Sequence, residues 1–171
     1  DNIAISIYSA AVFAEYIKNQ SKKENPAVVV GMDARPTGPA ISEAAVKTFI
    51  AKGINVKFVG ITAAPEIMAY SKKADGFMYI SASHNPVGHN GIKFGLNTGG
   101  VLNGTENAKL TVEFNRPCAQ DEAQKKAFEI IRNVKESDVD SVYKEQKNVK
   151  KEALSAYNEF LYWTISGTDK K

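Results

Sequence analysis

Cysteine is almost missing: Cys118 is the only one in 171 residues. One thiol excludes a disulfide framework, and it excludes a zinc site built on thiolates. Long hydrophobic runs are missing too, so no segment approaches the roughly 20 apolar residues of a membrane-spanning helix. Neither charge sign dominates, because 22 Lys+Arg face 19 Asp+Glu for a net of +3. With no dense basic stripe and no interleaved aromatics, that balance argues against a nucleic-acid partner. No internal repeat is evident, and no cleavable signal opens the chain. The expectation is a cytosolic (cytoplasmic) protein with no membrane and no nucleic acid among its partners.

What is present is an ordinary globular composition, 43% hydrophobic and 24% charged, on a chain long enough for one real core. Ile3, Ile7, Ala10, Ala14 and Ile17 recur at helical spacing, with Asp1 and Asn2 as candidate caps, and predict a helix ending near Lys18 and Asn19. Pro26 then introduces a buried strand over 27–31, centred on Val28, Val29 and Val30. Pro39 and Gly53 bracket a second helix, and 54–59 alternates as a strand that Gly60 ends. A short helix over 66–73 leads to a further strand, Phe77, Met78, Tyr79 and Ile80. This order predicts an α/β fold of three layers, α/β/α, around a mostly parallel mixed sheet with an antiparallel edge strand. A hairpin turning at Asn97, Thr98, Gly99 and Gly100 is expected to supply that edge through Val101 and Leu102. Residues 103–120 predict only a loop with a short helix or strand. Ala127, Ile130, Ile131 and Val134 mark a helix with Glu122 near its start. Residues 135–151 are charge-rich and weakly periodic, and Ala153, Leu154, Tyr157, Phe160 and Leu161 share one face of a last helix.

The residues that carry chemistry follow the strand that ends at Ile80: S-A-S-H-N-P-V-G-H-N-G-I-K-F. Pro86, Gly88 and Gly91 make this a tightly turned loop, and open α/β sheets place ligands at such strand ends. It offers the Ser83 hydroxyl, the His84 imidazole, the Asn85 amide and the Lys93 ammonium. An unassisted serine is a weak nucleophile. Acyl transfer through a triad fits poorly, because the G-x-S-x-G elbow is missing and His84 directly follows Ser83. Phosphoryl transfer fits better, since loop amides and Lys93 can hold a phosphoserine dianion. His89 reads as a surface histidine. A second loop, G-M-D-A-R-P-T-G, follows the strand at 27–31. Its Asp33 and Arg35 can brace each other, brace a phosphate, or form an ordinary ion pair.

S-A-S-H-N-P followed by N-G-I-K-F resembles the catalytic serine loop of the α-D-phosphohexomutases, the phosphoglucomutase and phosphomannomutase family. The family form usually begins T-A-S-H-N-P, so Ser81 stands where threonine is commoner, and the hydroxyl is kept. Residues 31–38 resemble the family's G-x-D-x-R motif, which supports the active-site wall; Asp33 and Arg35 are thus expected to support the site. The resemblance covers most of residues 1–102 and, more weakly, the final helix. It implies that 1–150 is the first domain, lacking a preceding strand and arginine-bearing loop, and that 151–171 is a helix opening a second domain.

The same resemblance implies catalytic roles for Ser83, His84 and Lys93 and substrate contacts for Asn85 and Lys93. It implies hexose phosphate and hexose bisphosphate as partners, together with the remaining domains of a parent enzyme. Mg²⁺ is the implied cofactor, with phosphorylated Ser83 as one ligand and three aspartates on a second domain as the others. The D-G-D-x-D-R metal loop, the G-E-x-S-G-H-type sugar loop and the C-terminal phosphate loop have no counterpart here; Ser166-Gly167-Thr168 lacks the arginine context of the last. The expectation is a fragment, inactive alone, of an enzyme interconverting hexose 1-phosphate and 6-phosphate through a bisphosphate. The alternative is a non-catalytic sugar-phosphate-binding module.

Overall fold

Val28, Val29 and Val30 are all fully buried, and a strand can bury consecutive residues only if both its faces are covered. β1 (Ala27–Met32) lies between β2 (Asn55–Ile61) and β3 (Gly76–Ile80) and runs parallel to both. β4 (Ile92–Leu96) pairs antiparallel with β3, giving the order β2-β1-β3-β4. The computed structural model describes residues 2–168; Asp1, expected as a helix cap, lies outside the described residues.

Side-chain alternation sorts the sheet into two faces. Val28, Val30, Met32, Met78 and Ile80 pack against α1 (Asn2–Ser21) and α2 (Gly38–Ala51). Val29, Phe77 and Tyr79 pack against α3 (Ala64–Ser71) and α7 (Gln146–Ser166). The three-layer α/β/α arrangement with an antiparallel edge is therefore present. α4 (Gly104–Cys118) and α5 (Ala123–Ile131) lie outside α1, and this explains why α1 is buried beyond its apolar stripe. Ser6 Oγ there donates to the Ile41 carbonyl at 2.7 Å, and Tyr8 Oη donates to that of Ala123 at 2.6 Å. α6 (Glu136–Lys144) ends with the Tyr143 ring edge-on to Phe58, centroids 4.9 Å apart.

Three sequence expectations need correction. The antiparallel edge is β4 itself, not the arm at Val101 and Leu102, which makes only one bridge, Gly95 to Val101. After Gly99 (φ 82°) the chain turns inward, burying Leu102 and leaving Val101 exposed. Residues 104–118 form a helix of four turns. Its cap is an Asn103 side chain accepting from the Glu106 N–H at 2.9 Å, but Leu110 is its one buried residue among those described, so apolar periodicity is faint. Gly60, with φ 74°, does not end β2; the register slips beside it, where Val30 faces Phe58 and Gly31 faces Gly60, and the strand continues to Ile61.

α7 crosses the domain boundary expected at 150/151. Val149, Ala153 and Ala156 share one apolar cluster with Ile67 and Tyr70 of α3. Polar pins reinforce the contact. Lys150 Nζ bonds both Glu66 carboxylate oxygens, at 2.7 and 2.9 Å, and Tyr70 Oη donates to Glu152 at 2.5 Å. At the opposite end of the sheet, Asp75 Oδ2 accepts from the Ala27 N–H and Oδ1 from Lys23 Nζ, tying the start of β1 to that of β3.

Candidate active site

Two loops meet at the carboxyl ends of β1 and β3, which are neighbours in the sheet. The Asp33 N–H donates to the Ile80 carbonyl at 2.9 Å, so the ladder between the strands continues into the first loop residue. The G-x-D-x-R loop and the serine loop therefore begin side by side. Adjacency in the sheet joins two motifs that lie far apart in the chain.

The serine loop is closed at its base by the Ser81 N–H donating to the Gly91 carbonyl at 2.8 Å. Gly91 leaves room for this approach: a Cβ there would lie 3.0 Å from the Ser81 carbonyl oxygen and would push the neighbouring backbone by a few tenths of an ångström. Ala82 to Asn85 form a turn, with the Asn85 N–H donating to the Ala82 carbonyl at 3.1 Å. Ser83 occupies its first central position with φ 54°. That left-handed angle is costly for a residue with a Cβ, by about 1–2 kcal/mol. The surroundings hold it in place: the Ser83 N–H donates to Ser81 Oγ at 3.2 Å, and the Ser83 carbonyl accepts from Arg35 Nη2 at 3.1 Å.

Ser83, His84 and Asn85 are exposed at the tip. On the returning limb Lys93 pairs directly with Tyr79 across β3 and β4, and so projects to the same sheet face. Its ammonium lies 5.9 Å from the Tyr79 ring centroid and donates to Ser83 Oγ at 2.5 Å. Ile92 and Phe94 turn the other way, against the α1 side of the core. The structure thus brings Ser83 and Lys93 into contact. His84 and Asn85 stand at the same tip, and His89 is exposed.

Arg35 reaches across from the neighbouring loop. Its Nε donates to Asp33 Oδ2 at 3.1 Å, and Nη1 donates to the Pro86 carbonyl at 2.7 Å and that of His89 at 3.4 Å. Nη2 serves the Asn85 carbonyl at 2.7 Å besides that of Ser83. The guanidinium thus ties the Asp33 carboxylate to four carbonyls of the serine loop. Burial raises the pKa of the Asp33 carboxyl, but hydrogen bonds from Ser81 and Arg35 and the guanidinium charge outweigh it and hold the group below the usual carboxylate range. Thr37 and Asn90 join the same loops by a further bond, Asn90 Nδ2 to Thr37 Oγ1 at 3.0 Å, which the sequence reading did not single out.

Mg²⁺ finds few ligands here. Among the described residues no three His, Cys, Asp or Glu side chains cluster as a metal site, and Asp33 is engaged by Arg35. Among the described residues the donor set does not make a complete site.

Residues 2–120 match the family model for the phosphoglucomutase/phosphomannomutase alpha/beta/alpha domain I. A phosphoglucosamine mutase of Streptococcus sanguinis (strain SK36) is 40% identical over 84 residues, which are 48% of this chain and 19% of that protein. Phosphoglucosamine mutase 2 of Shewanella baltica (strain OS185) is 34% identical over 113 residues, covering 65% of this chain and 25% of its own. A solved phosphoglucomutase/phosphomannomutase family protein from Burkholderia thailandensis aligns with a TM-score of 0.56 at 27% identity, over 67% of this chain and 26% of that one. The matched segment is therefore 25% or less of each curated relative's length. The chain belongs to the phosphoglucomutase/phosphomannomutase family, and its residues 2–120 correspond to the family's α/β/α domain I.

Proposed function

We propose that this chain is the phosphoserine-bearing part of a hexose phosphate mutase, with Ser83 as the carrier of the phosphoryl group. The observation that carries the reading is the contact between Lys93 Nζ and Ser83 Oγ, 2.5 Å, at the tip of an exposed and braced loop. A charge-assisted bond to a serine oxygen suits an oxygen that alternately bears and releases a phosphoryl group.

In the forward half-reaction a hydroxyl oxygen of a hexose monophosphate attacks the phosphorus on Ser83. The new P–O bond forms to the sugar, the bond from phosphorus to Ser83 Oγ breaks, and a bisphosphate results. The sugar hydroxyl gives up its proton to a base, a role this reading gives to His84. Ser83 Oγ leaves carrying negative charge, and the Lys93 ammonium supplies its proton. The reverse half-reaction, using the other phosphoryl group of the turned bisphosphate, restores phosphorylated Ser83. Such transfers depend on position and charge neutralisation more than on covalent assistance.

Asn85 stands beside Ser83 to contact the sugar phosphate, while Asp33 and Arg35 shape the wall. For Mg²⁺ this chain would supply one ligand, an oxygen of the phosphoryl group on Ser83; the others would come from the rest of the parent protein. When bound, the ion neutralises phosphoryl charge. This segment alone would bind phosphate weakly and would not turn over substrate, and the parent enzyme would act in the cytoplasm.

Intact mass tests the reading. The full-length protein that carries this segment, incubated with glucose 1,6-bisphosphate and Mg²⁺, should gain one phosphoryl group mapping to Ser83, and its Ser83→Ala variant should gain none. An unchanged mass would point to a sugar-phosphate-binding module, and labelling of Ser83 by a fluorophosphonate would point to a hydrolase. Initial rates with glucose, mannose and glucosamine phosphates then identify the sugar.

A further inference from the structure

The Arg35 guanidinium has five N–H donors. All five are used within the protein: one on Asp33, two on the carbonyls of Pro86 and His89, and two on those of Ser83 and Asn85. A guanidinium bonded in this way has no donor left for a phosphate. Its side chain is also largely shielded, at 12% relative exposure. Arg35 must therefore act through the loop.

Peptide planarity says how. In a trans peptide the carbonyl of one residue and the N–H of the next point in opposite directions, and no cis peptide interrupts this loop. Each carbonyl drawn toward the guanidinium sends the following N–H away from it. Those N–H groups belong to His84, Val87 and Asn90; after Asn85 comes Pro86, which has none. Among the described residues none of the three donates a hydrogen bond within the protein. The His84 N–H follows Ser83 directly, on the far side of the peptide that Arg35 holds by its oxygen.

We infer that Arg35 is a positioning residue that builds an amide site for the phosphoryl group on Ser83: it gathers the loop carbonyls on one side and so presents the His84 N–H to the phosphoryl oxygens on the other. Lys93 then faces the bridging oxygen, and the backbone amide faces a non-bridging one. The guanidinium never touches the anion. This inference rests on the phosphoserine reading above and adds how the transferred group is oriented.

Lysine cannot replace such an arginine. Its three donors cannot serve four carbonyls and a carboxylate, although its charge is the same.

The test uses the full-length protein, wild type and Arg35→Lys, with Ser83 phosphorylation from glucose 1,6-bisphosphate followed by quenched-flow intact mass. Arg35→Lys should slow the transfer about 100-fold, the scale of an ångström-sized misplacement, while KM for the sugar phosphate moves less than about twofold. Added guanidinium at non-denaturing concentration should restore part of the rate to Arg35→Ala, and ammonium should not. With ¹⁵N-histidine labelling, the His84 amide resonance should shift downfield on phosphorylation of the wild type and stay in place in Arg35→Lys. Asp33→Asn, which leaves the carbonyl bonds intact, should fall between wild type and Arg35→Lys, so the result does not depend on one variant folding. A raised KM at unchanged kcat in Arg35→Lys would overturn the inference by assigning Arg35 to direct substrate binding. So would an unmoved His84 amide in a phosphorylated wild type, with the phosphoserine reading left standing. A wild type that never takes up a phosphoryl group removes both.

Discussion

Lys93 Nζ and Ser83 Oγ lie 2.5 Å apart although they stand on opposite limbs of one loop. Two constraints produce the contact. Pairing of Lys93 with Tyr79 across the sheet fixes the origin of the ammonium, and the left-handed turn at Ser83 swings the hydroxyl toward it. Lys93→Met keeps the aliphatic stem over Tyr79 and removes the charge. Phosphoryl transfer should fall by about 100-fold or more, with the circular dichroism spectrum and melting temperature nearly unchanged. Transfer at the wild-type rate would remove Lys93 from the chemistry.

Strain at Ser83 gives a stability prediction independent of activity. Glycine accepts φ 54° without the Cβ penalty, whereas alanine does not. Ser83→Gly should therefore be more stable than Ser83→Ala by about 1 kcal/mol in urea unfolding, and both should be inactive. Equal midpoints for the two variants would mean the turn carries no strain.

Asp33 and Asp75 both contribute to the acid limb of stability. Burial pushes both Asp33 and Asp75 up, yet their hydrogen-bonding and charged partners prevail and hold both below the usual range: Ser81 and Arg35 for Asp33, Lys23 and the Ala27 N–H for Asp75. A depressed folded-state pKa contributes stability that is present above the unfolded value of about 3.9 and is lost as pH falls through the folded one. Unfolding free energy measured from neutral pH downward should therefore begin to fall below about pH 5. In Asp33→Asn with Asp75→Asn the fall should be shallower, from a lower plateau. A double variant with the wild-type slope would locate the acid sensitivity elsewhere.

The clasp of α7 on α3 can be tested by leaving one partner alone. Glu66 is buried and its carboxylate is held by Lys150. Lys150→Met should cost about 3 kcal/mol, because it strands that carboxylate. Adding Glu66→Met should recover most of the loss, since a well-packed apolar pair replaces both charges. Urea denaturation of the two variants decides; a double variant no more stable than the single would show the pair to be favourable in itself.

Much of this protein was legible in local pattern. The valine run at 28–30, the helical spacing from Ile3 to Ile17 and the abrupt change at Ser81 follow from chain-local rules, burial periodicity and turn chemistry. The layers and the serine loop were therefore readable from the chain. α4 was not, because its apolar face is nearly reduced to Leu110 and its only strong signal was the Asn103–Glu106 cap. Local pattern alone puts the edge strand on the wrong arm, because both arms of the hairpin at 97–100 carry β-formers and only tertiary packing sends Leu102 into the core.

Residue types alone determined that a hydroxyl, an imidazole, an amide and an ammonium would share one loop, since those groups lie within eleven positions of each other. Only the tertiary structure decided what Arg35 does. Four of its five donors meet carbonyls some fifty residues away because β1 and β3 are neighbours in the sheet, and strand order is set by long-range packing that no local stretch encodes.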